Sequence, residues 1–154
     1  MKNSESGYIF VLYNSNKEND KIISQDCLCR IKDAEKMIEA HPDFKAVFVG
    51  GNPKLMKENT IIRDVELLET PPHTVGNIRS IADFLRKKDI CEKIFIITSR
   101  YHFRRVEMLL DHFGVKKEKY SLVCLNFCGD NFKKRTREFF LRLITRFAIL
   151  FRNI

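Results

Sequence analysis

The segment KIFIITSRYHFRRVEMLLDHFG, residues 93–114, gives the clearest indication of the fold class of this chain. Its first part, Lys93–Thr98, is a short run of large apolar residues, which predicts a buried strand. The part that begins at Ser99 predicts a helix, because apolar residues recur there at helical spacing and Gly114 is a typical C-terminal stop. A buried strand that leads directly into an amphipathic helix is the unit from which parallel α/β sheets are built.

The same alternation continues along the rest of the chain. Four more apolar runs predict strands, and three more amphipathic segments predict helices. The predicted strands are Tyr8–Tyr13, Ala46–Val49, Val65–Leu68 and Ser121–Asn126, and the predicted helices are Asp26–Ala40, residues 74–85 and Arg135–Phe151. Three residues, Asp26, Thr74 and Ser99, are placed to cap helices. We predict one doubly wound α/β domain over residues 1–132, with a mostly parallel sheet of about five strands.

Composition excludes several classes of protein. With 154 residues, 44% of them apolar, the chain can bury a core without a metal or a disulfide. No uncharged apolar run approaches the ~18 residues of a membrane span, and the N-terminal stretch lacks the pattern of a signal peptide. Five cysteines without a C-x-x-C pair predict ordinary reduced thiols rather than a zinc site. These features predict a cytoplasmic protein with no metal site.

Polar residues that follow the predicted strands are the candidates for a site, because open α/β sheets bind ligands beyond the carboxyl ends of their strands. Thr98 and Ser99 are hydroxyl donors where a helix begins, which favours an anion. Arg105 can pair with a phosphate or carboxylate. His102, with an ordinary pKa near 6.5, suits proton transfer and is the candidate catalytic residue. The alternative for His102 is a core histidine, since it falls within the apolar stripe of its helix.

Five further candidates have equally simple structural explanations. Gly50 and Gly51 end a strand and permit either close approach to a ligand or a tight turn. They belong to no nucleotide-phosphate motif. Thr74 and Asn77 open another helix at a strand end, where local capping is the alternative. Arg30 borders the apolar stripe of the first helix, a position typical of a surface arginine.

Taken together, these segments resemble the YdcF-like domain family, whose bacterial relatives include the SanA and ElyC envelope proteins. The most specific part is the T-S-x-Y-H-x-x-R stretch from Thr98 to Arg105, and Thr74-x-x-Asn77 supports it. The resemblance implies a Rossmann-like three-layer domain. It implies that one site is lined by Arg30, Gly50, Gly51, Thr74, Asn77, Ser99, His102 and Arg105. It also implies a role in envelope, glycan or polyprenyl-phosphate metabolism, with S-adenosylmethionine or another nucleotide as cofactor.

The chain departs from the family pattern in ways that bear on catalysis. Gly76 stands where the family has glutamate, and the Ser-Glu-Ala that follows the glycine pair is absent. Two carboxylates are therefore missing, and Asp20, Asp26 or Glu58 are the possible substitutes. The remaining cationic, hydroxyl-rich site suits a small anionic or nucleotide-like ligand better than activation of water. The chain is accordingly expected to be either a degenerate transferase or hydrolase, or a binding protein without turnover.

The C-terminal segment, residues 133–154, is a basic amphipathic helix. It carries +6 of the net charge of +8, with Glu138 as its only acidic residue. Apolar residues from Phe139 to Ile154 cover one broad side, and arginines lie opposite. The favoured interpretation is a last helix that docks on an open sheet face and leaves its basic side to solvent. The alternative is peripheral contact of residues 135–151 with an anionic membrane, at its inner face, by a non-catalytic binding or scaffold protein. Nucleic-acid binding is not indicated, because the rest of the chain is near neutral and contains no recognised module.

Overall fold

The computed structural model describes residues 6–14, 21–90, 92–126 and 132–151. Along them, strands and helices alternate as the sequence predicts. The elements are β1 (Gly7–Leu12), α1 (Gln25–Ala40), β2 (Phe44–Gly50), α2 (Pro53–Glu58), β3 (Val65–Glu69), α3 (Thr74–Lys87), β4 (Ile94–Ile97), α4 (Phe103–His112), β5 (Tyr120–Val123) and α5 (Phe132–Leu150). The five strands form one all-parallel sheet in the order β3-β2-β1-β4-β5. The predicted Rossmann-like three-layer α/β fold is confirmed.

Helices cover both faces of the sheet, which explains why the strands are continuous apolar runs. In β1, Ile9 and Val11 point to a face covered by α1 and α2, whereas Phe10 and Leu12 point to a face covered by α3 and α4. All four side chains are at most 2% exposed. The central strand is therefore fixed from both sides.

The direction in which successive strands are added to the sheet reverses at β1. It first adds β2 and β3 on one side of β1, and then returns to add β4 and β5 on the other side. The carboxyl ends of β1 and β4 therefore border a crevice with the loops that follow each strand. In open α/β sheets this switch point is where ligands bind.

Two helices are capped by residues other than those predicted, and the third predicted capping bond is not formed. Ser24 caps α1 and His73 caps α3, each by accepting a hydrogen bond from a backbone N–H three residues further on. Ser99 precedes a 3-10 turn, Arg100–His102, and makes no side-chain cap bond. The prediction that Asp26, Thr74 and Ser99 act as caps is therefore wrong. The polar atoms of all three residues serve other contacts near the switch point.

The C-terminal helix docks with the opposite side from the one expected. It packs against α4 and the 3-10 turn. Its buried residues are Glu138 and Thr145, while large apolar side chains such as Phe140 and Phe147 are exposed. The expectation that α5 covers the sheet with its apolar side is wrong, because the polar side carries a carboxylate that pairs with buried cations. Within the described ranges, no helix has the length and apolarity needed to cross a bilayer.

The prediction that the cysteines are ordinary reduced thiols is wrong at one described position. Cys29 is disulfide-bonded, while Cys27 and Cys124 are free thiols. Cys91 and Cys128 lie outside the described residues. Disulfides are rare in reducing compartments, so the cysteine content no longer supports the predicted cytoplasmic location.

Candidate functional site

A cavity of about 480 Å³ opens at the switch point, between the carboxyl ends of β1 and β4. The N-terminal turns of α3, α4 and α5 form its walls. Seven of the nine residues singled out from the sequence line this switch-point cavity: Arg30, Gly51, Thr74, Asn77, Thr98, His102 and Arg105. The other two, Gly50 and Ser99, are not among its lining residues. Residues far apart in the chain are thus brought together by the sheet order.

Arg30 is buried, contrary to the surface position that its place in α1 suggested. Only 4% of it is exposed. Its Nη1 donates to the Leu12 carbonyl at 2.7 Å, and its Nε and Nη2 donate to Ser99 Oγ at 3.2 and 2.8 Å. Leu12 ends β1 and Ser99 follows β4. The guanidinium therefore joins the two strand ends while it also faces the cavity.

Gly50 and Gly51, at the end of β2, lie against different neighbours that leave little room for a side chain. Gly50 has a φ of +152°, and a Cβ there would lie 2.2 Å from Tyr13 Cβ. The packing of Tyr13, which follows β1, is therefore sufficient to explain Gly50. Gly51 does face the cavity, and a Cβ there would lie 3.0 Å from Pro72 Cβ.

Asp26 lies at the edge of the site with 4% exposure and joins three elements. Its Oδ2 accepts hydrogen bonds from Asn14 Nδ2 at 3.1 Å, from the Tyr101 hydroxyl, and from Lys134 Nζ at 3.1 Å. Burial, together with the bond to this carboxylate, raises the pKa of Tyr101 to about 12. Asp26 thus anchors α5 and the 3-10 turn to the end of β1.

The central contact of the site comes from α5. Glu138, which is 3% exposed, places Oε2 2.9 Å from His102 Nδ1 and Oε1 2.8 Å from Arg105 Nε. Neither Arg105 Nε nor Glu138 Oε1 makes a hydrogen bond within the described residues, so the second contact is an ion pair alone. Arg105 Nη2 also donates to Thr74 Oγ1 at 3.0 Å. One carboxylate therefore holds both the candidate catalytic histidine and the candidate anion-binding arginine.

The surroundings of His102 favour its neutral form. Burial lowers its pKa below the ordinary 6.5, the positive charges of Arg30 and Arg105 lower it further, and the bond to Glu138 raises it. Nδ1 lies 2.9 Å from Glu138 but 3.2 Å from Arg105 Nη2. Since a carboxylate only accepts, we assign the proton to Nδ1, which leaves Nε2 as a proton acceptor. Burial also lowers the pKa of Arg105, and Glu138 opposes that shift.

The charge of the lining is predominantly positive. Of the described lining residues, Arg30, Arg105, Lys134 and Arg137 are cations and only Glu138 is a carboxylate. Lys134 is neutralised by Asp26, and Arg105 is paired with Glu138. Thr74 and Thr98 add hydroxyl groups. Such a lining can hold an anion, and within the described residues no group of three potential metal ligands occurs.

The sequence analysis missed Glu138, although one signal pointed to it. It is the only acidic residue in the basic segment 133–154, and a lone carboxylate among cations is most easily explained by a specific partner. Of the proposed substitute carboxylates, Asp26 lies at the site, Glu58 is exposed at the end of α2, and Asp20 is outside the described residues. Glu138 is thus a further carboxylate at the site, in addition to the substitutes proposed from the sequence.

Comparisons with family models, curated proteins and solved structures gave no match for this chain. The site must therefore be interpreted from its own geometry.

Proposed function

We propose that this protein binds a small, phosphate-bearing ligand of nucleotide-like character in the switch-point cavity, as a divergent member of the YdcF-like class. The observation that carries the proposal is the excess of cationic side chains around a cavity of about 480 Å³ at the switch point. That volume lies within the range of about 300–1,000 Å³ typical of small-molecule sites.

The residues divide into those that hold the fold and those that meet the ligand. Arg30 uses three N–H donors to join the strand ends, so its contribution to the ligand is mainly charge. Arg105 is oriented by Glu138 and Thr74, and Arg137 is exposed on α5 among the lining residues. These two arginines are the proposed phosphate partners, with backbone N–H groups and Thr98 as neutral donors.

The charge of the lining favours one class of nucleotide over another. A nucleoside phosphate brings negative charge, which the arginines can pair. S-adenosylmethionine carries one carboxylate but also a sulfonium and an ammonium group, so its net charge is positive and its two cationic groups would require acceptors. Among the lining residues that the structure describes, Glu138 is the one carboxylate, and both of its oxygens already face His102 and Arg105. A phosphate ligand therefore fits these residues better than S-adenosylmethionine does.

We also propose that His102 acts as proton acceptor when the bound ligand reacts. Glu138 is then a positioning residue, since it fixes the tautomer that leaves Nε2 free of the proton. This pair is the arrangement expected of a transferase or hydrolase acting on an anionic substrate, including the glycan and polyprenyl-phosphate substrates suggested by the family resemblance. Without turnover, the same site would serve binding alone.

A thermal-shift screen tests the proposal with nucleotides, sugar nucleotides, S-adenosylmethionine and a polyprenyl-phosphate analogue. A ligand that binds only the folded state at 100-fold over its dissociation constant adds about 2.7 kcal/mol of stability. Arg137→Ala removes a cavity cation that is exposed, so the fold should tolerate it. Arg86→Ala removes an arginine of α3 that is paired with Asp83 at the surface, and it serves as the matched control.

We expect phosphate-bearing compounds to stabilise the wild type and Arg86→Ala, and to stabilise Arg137→Ala much less. Equal shifts in both variants would place the ligand elsewhere. A shift with S-adenosylmethionine alone would contradict the charge argument.

A further inference from the structure

The outward side of α5 carries an apolar surface that no other described element covers. Seven large apolar side chains between Phe139 and Phe151 are exposed, from 38% at Leu143 to 71% at Leu150. Their spacing places them on one side of the helix, opposite Glu138 and Thr145, which are buried against the domain. Soluble monomeric domains rarely expose so continuous an apolar surface unless it binds something.

The charged residues beside this surface are basic. Lys133, Arg135, Arg137 and Arg146 are exposed on α5, whereas Glu138, the only acidic residue of the helix, is buried. Everything charged that the helix presents outward is therefore positive.

A groove next to α5 extends the same charge. Arg100 and Arg104 from the region of the 3-10 turn, and Arg135 and Arg142 from α5, line a space of about 440 Å³ together with Tyr101 and the carboxylate of Glu138. The guanidinium of Arg142 lies 5.7 Å from the ring centroid of Phe139, so this arginine groove adjoins the apolar surface. The Nε of Arg142 is buried without a hydrogen-bond partner among the described residues. The four arginines outnumber the one described carboxylate of the groove, Glu138, which already contacts His102 and Arg105, so the groove suits an anionic oxygen.

The charge pattern selects the occupant of the apolar surface. A second copy of the chain would bring its own cationic side chains against these, and the like charges would repel. An anionic bilayer offers hydrocarbon for the aromatic side chains and phosphates for the arginines. Because the docked side of α5 faces the other way, the helix can lie on a bilayer while Glu138 stays between His102 and Arg105.

We propose that α5 binds the surface of an anionic lipid bilayer, with its apolar side chains in the headgroup–acyl boundary and lipid phosphates in the arginine groove. This surface lies on a different side of the helix from the cavity. Tyr101 and Glu138 line both the cavity and the arginine groove, but none of the residues changed in the tests below lines the cavity, so the two proposals can fail separately.

Sedimentation of the full chain with lipid vesicles tests the proposal. We expect the protein to pellet with vesicles that mix phosphatidylglycerol with phosphatidylcholine, to pellet far less with phosphatidylcholine alone, and to be released by salt. Phe140→Ser combined with Phe147→Ser should weaken partitioning about tenfold or more, because both rings are 58% exposed and available to the bilayer. Ile61→Ser, at a residue that is 76% exposed elsewhere on the domain, is the matched control.

A second pair of variants tests the charge. Arg146→Glu on α5 should weaken partitioning at least about fivefold, and Lys36→Glu on the exposed side of α1 makes the same change in net charge away from the surface. All these positions are exposed, so melting temperatures should remain close to that of the wild type.

Three results would overturn the proposal. The first is failure to pellet with phosphatidylglycerol vesicles. The second is equal weakening by the control variants Ile61→Ser and Lys36→Glu. The third is a wild-type dimer in analytical ultracentrifugation that becomes monomeric in the Phe140→Ser, Phe147→Ser variant without any vesicle binding, which would assign the surface to a second copy of the chain.

Discussion

Replacement of Glu138 by glutamine removes the charge on which the site depends while keeping the size of the side chain. The carboxylate is 3% exposed and lies 2.8–2.9 Å from atoms of both Arg105 and His102. Glutamine can still accept a hydrogen bond from His102. It cannot neutralise Arg105, whose guanidinium would then remain buried near the charge of Arg137.

The expected cost follows from that uncompensated charge. Removal of one partner of a buried ion pair typically destabilises a protein by about 3–5 kcal/mol, because the other charge stays buried. For a chain of this size, each kcal/mol lowers the melting temperature by about 2–4 °C. We therefore expect Glu138→Gln to melt roughly 6–20 °C below the wild type. The matched control is Glu66→Gln, which breaks the surface pair with Lys88, where the two side chains are 41% and 42% exposed, and should cost at most about 1 kcal/mol.

Urea denaturation of four proteins measures the effect: the wild type, Glu138→Gln, Arg105→Met and the double variant. The double variant should be more stable than the sum of the two single losses predicts, since it buries no unpaired charge. The reasoning is refuted if Glu138→Gln costs no more than Glu66→Gln, or if the two losses simply add.

Three other predictions concern the residues around the site. His102→Gln should flatten the pH dependence of stability below about pH 6.5. Burial lowers the pKa of His102, so the folded wild type binds fewer protons than the unfolded chain and loses stability as the pH falls from 6.5 toward the lowered pKa. Urea midpoints measured across this pH range check the difference between the two proteins. Gly50→Ala should cost about 3 kcal/mol or more, because both its φ of +152° and the 2.2 Å approach of a side-chain carbon oppose a Cβ. Gly114→Ala, with φ +78° and open space around it, should cost about 1–2 kcal/mol. Thermal melts that rank the two variants equally would count against this packing. Arg30→Lys should cost about 2–4 kcal/mol in the same measurement, because one ammonium group cannot replace donors directed to two strand ends. A loss of stability no larger than that of Arg86→Lys on the surface would contradict this bridging role.

The order of secondary structure was predictable because it is a local property of the sequence. Runs such as Tyr8–Tyr13 and Lys93–Thr98 are apolar at every position, which indicates strands covered on both faces. The switch-point rule then located the site, since it depends only on where strands end. Cap positions were not predictable, because Ser24 and Asp26 are both competent to cap α1 and only the packing of Asp26 against α5 distinguishes them.

The roles of Arg30 and Glu138 depend on contacts between distant segments. An arginine beside an apolar stripe is normally a surface residue, and nothing near Arg30 in sequence shows that Ser99, 69 residues away, accepts its hydrogen bonds. The broad apolar side of α5 pointed inward on the usual rule for helices. The pairing of Glu138 with His102 and Arg105 overrides that rule, because these groups lie at the strand ends and not on the sheet face.

Nuclear magnetic resonance of the isotope-labelled full chain, titrated with adenosine monophosphate, measures whether a phosphate-bearing ligand occupies the switch-point cavity. We expect saturable shifts concentrated on backbone amides around the switch-point cavity, including those of Thr74, Thr98 and His102, and a much weaker response in Arg137→Ala. Saturable shifts confined to the arginine groove or to the opposite end of the sheet, or no saturable shift with any phosphate-bearing ligand, would contradict it.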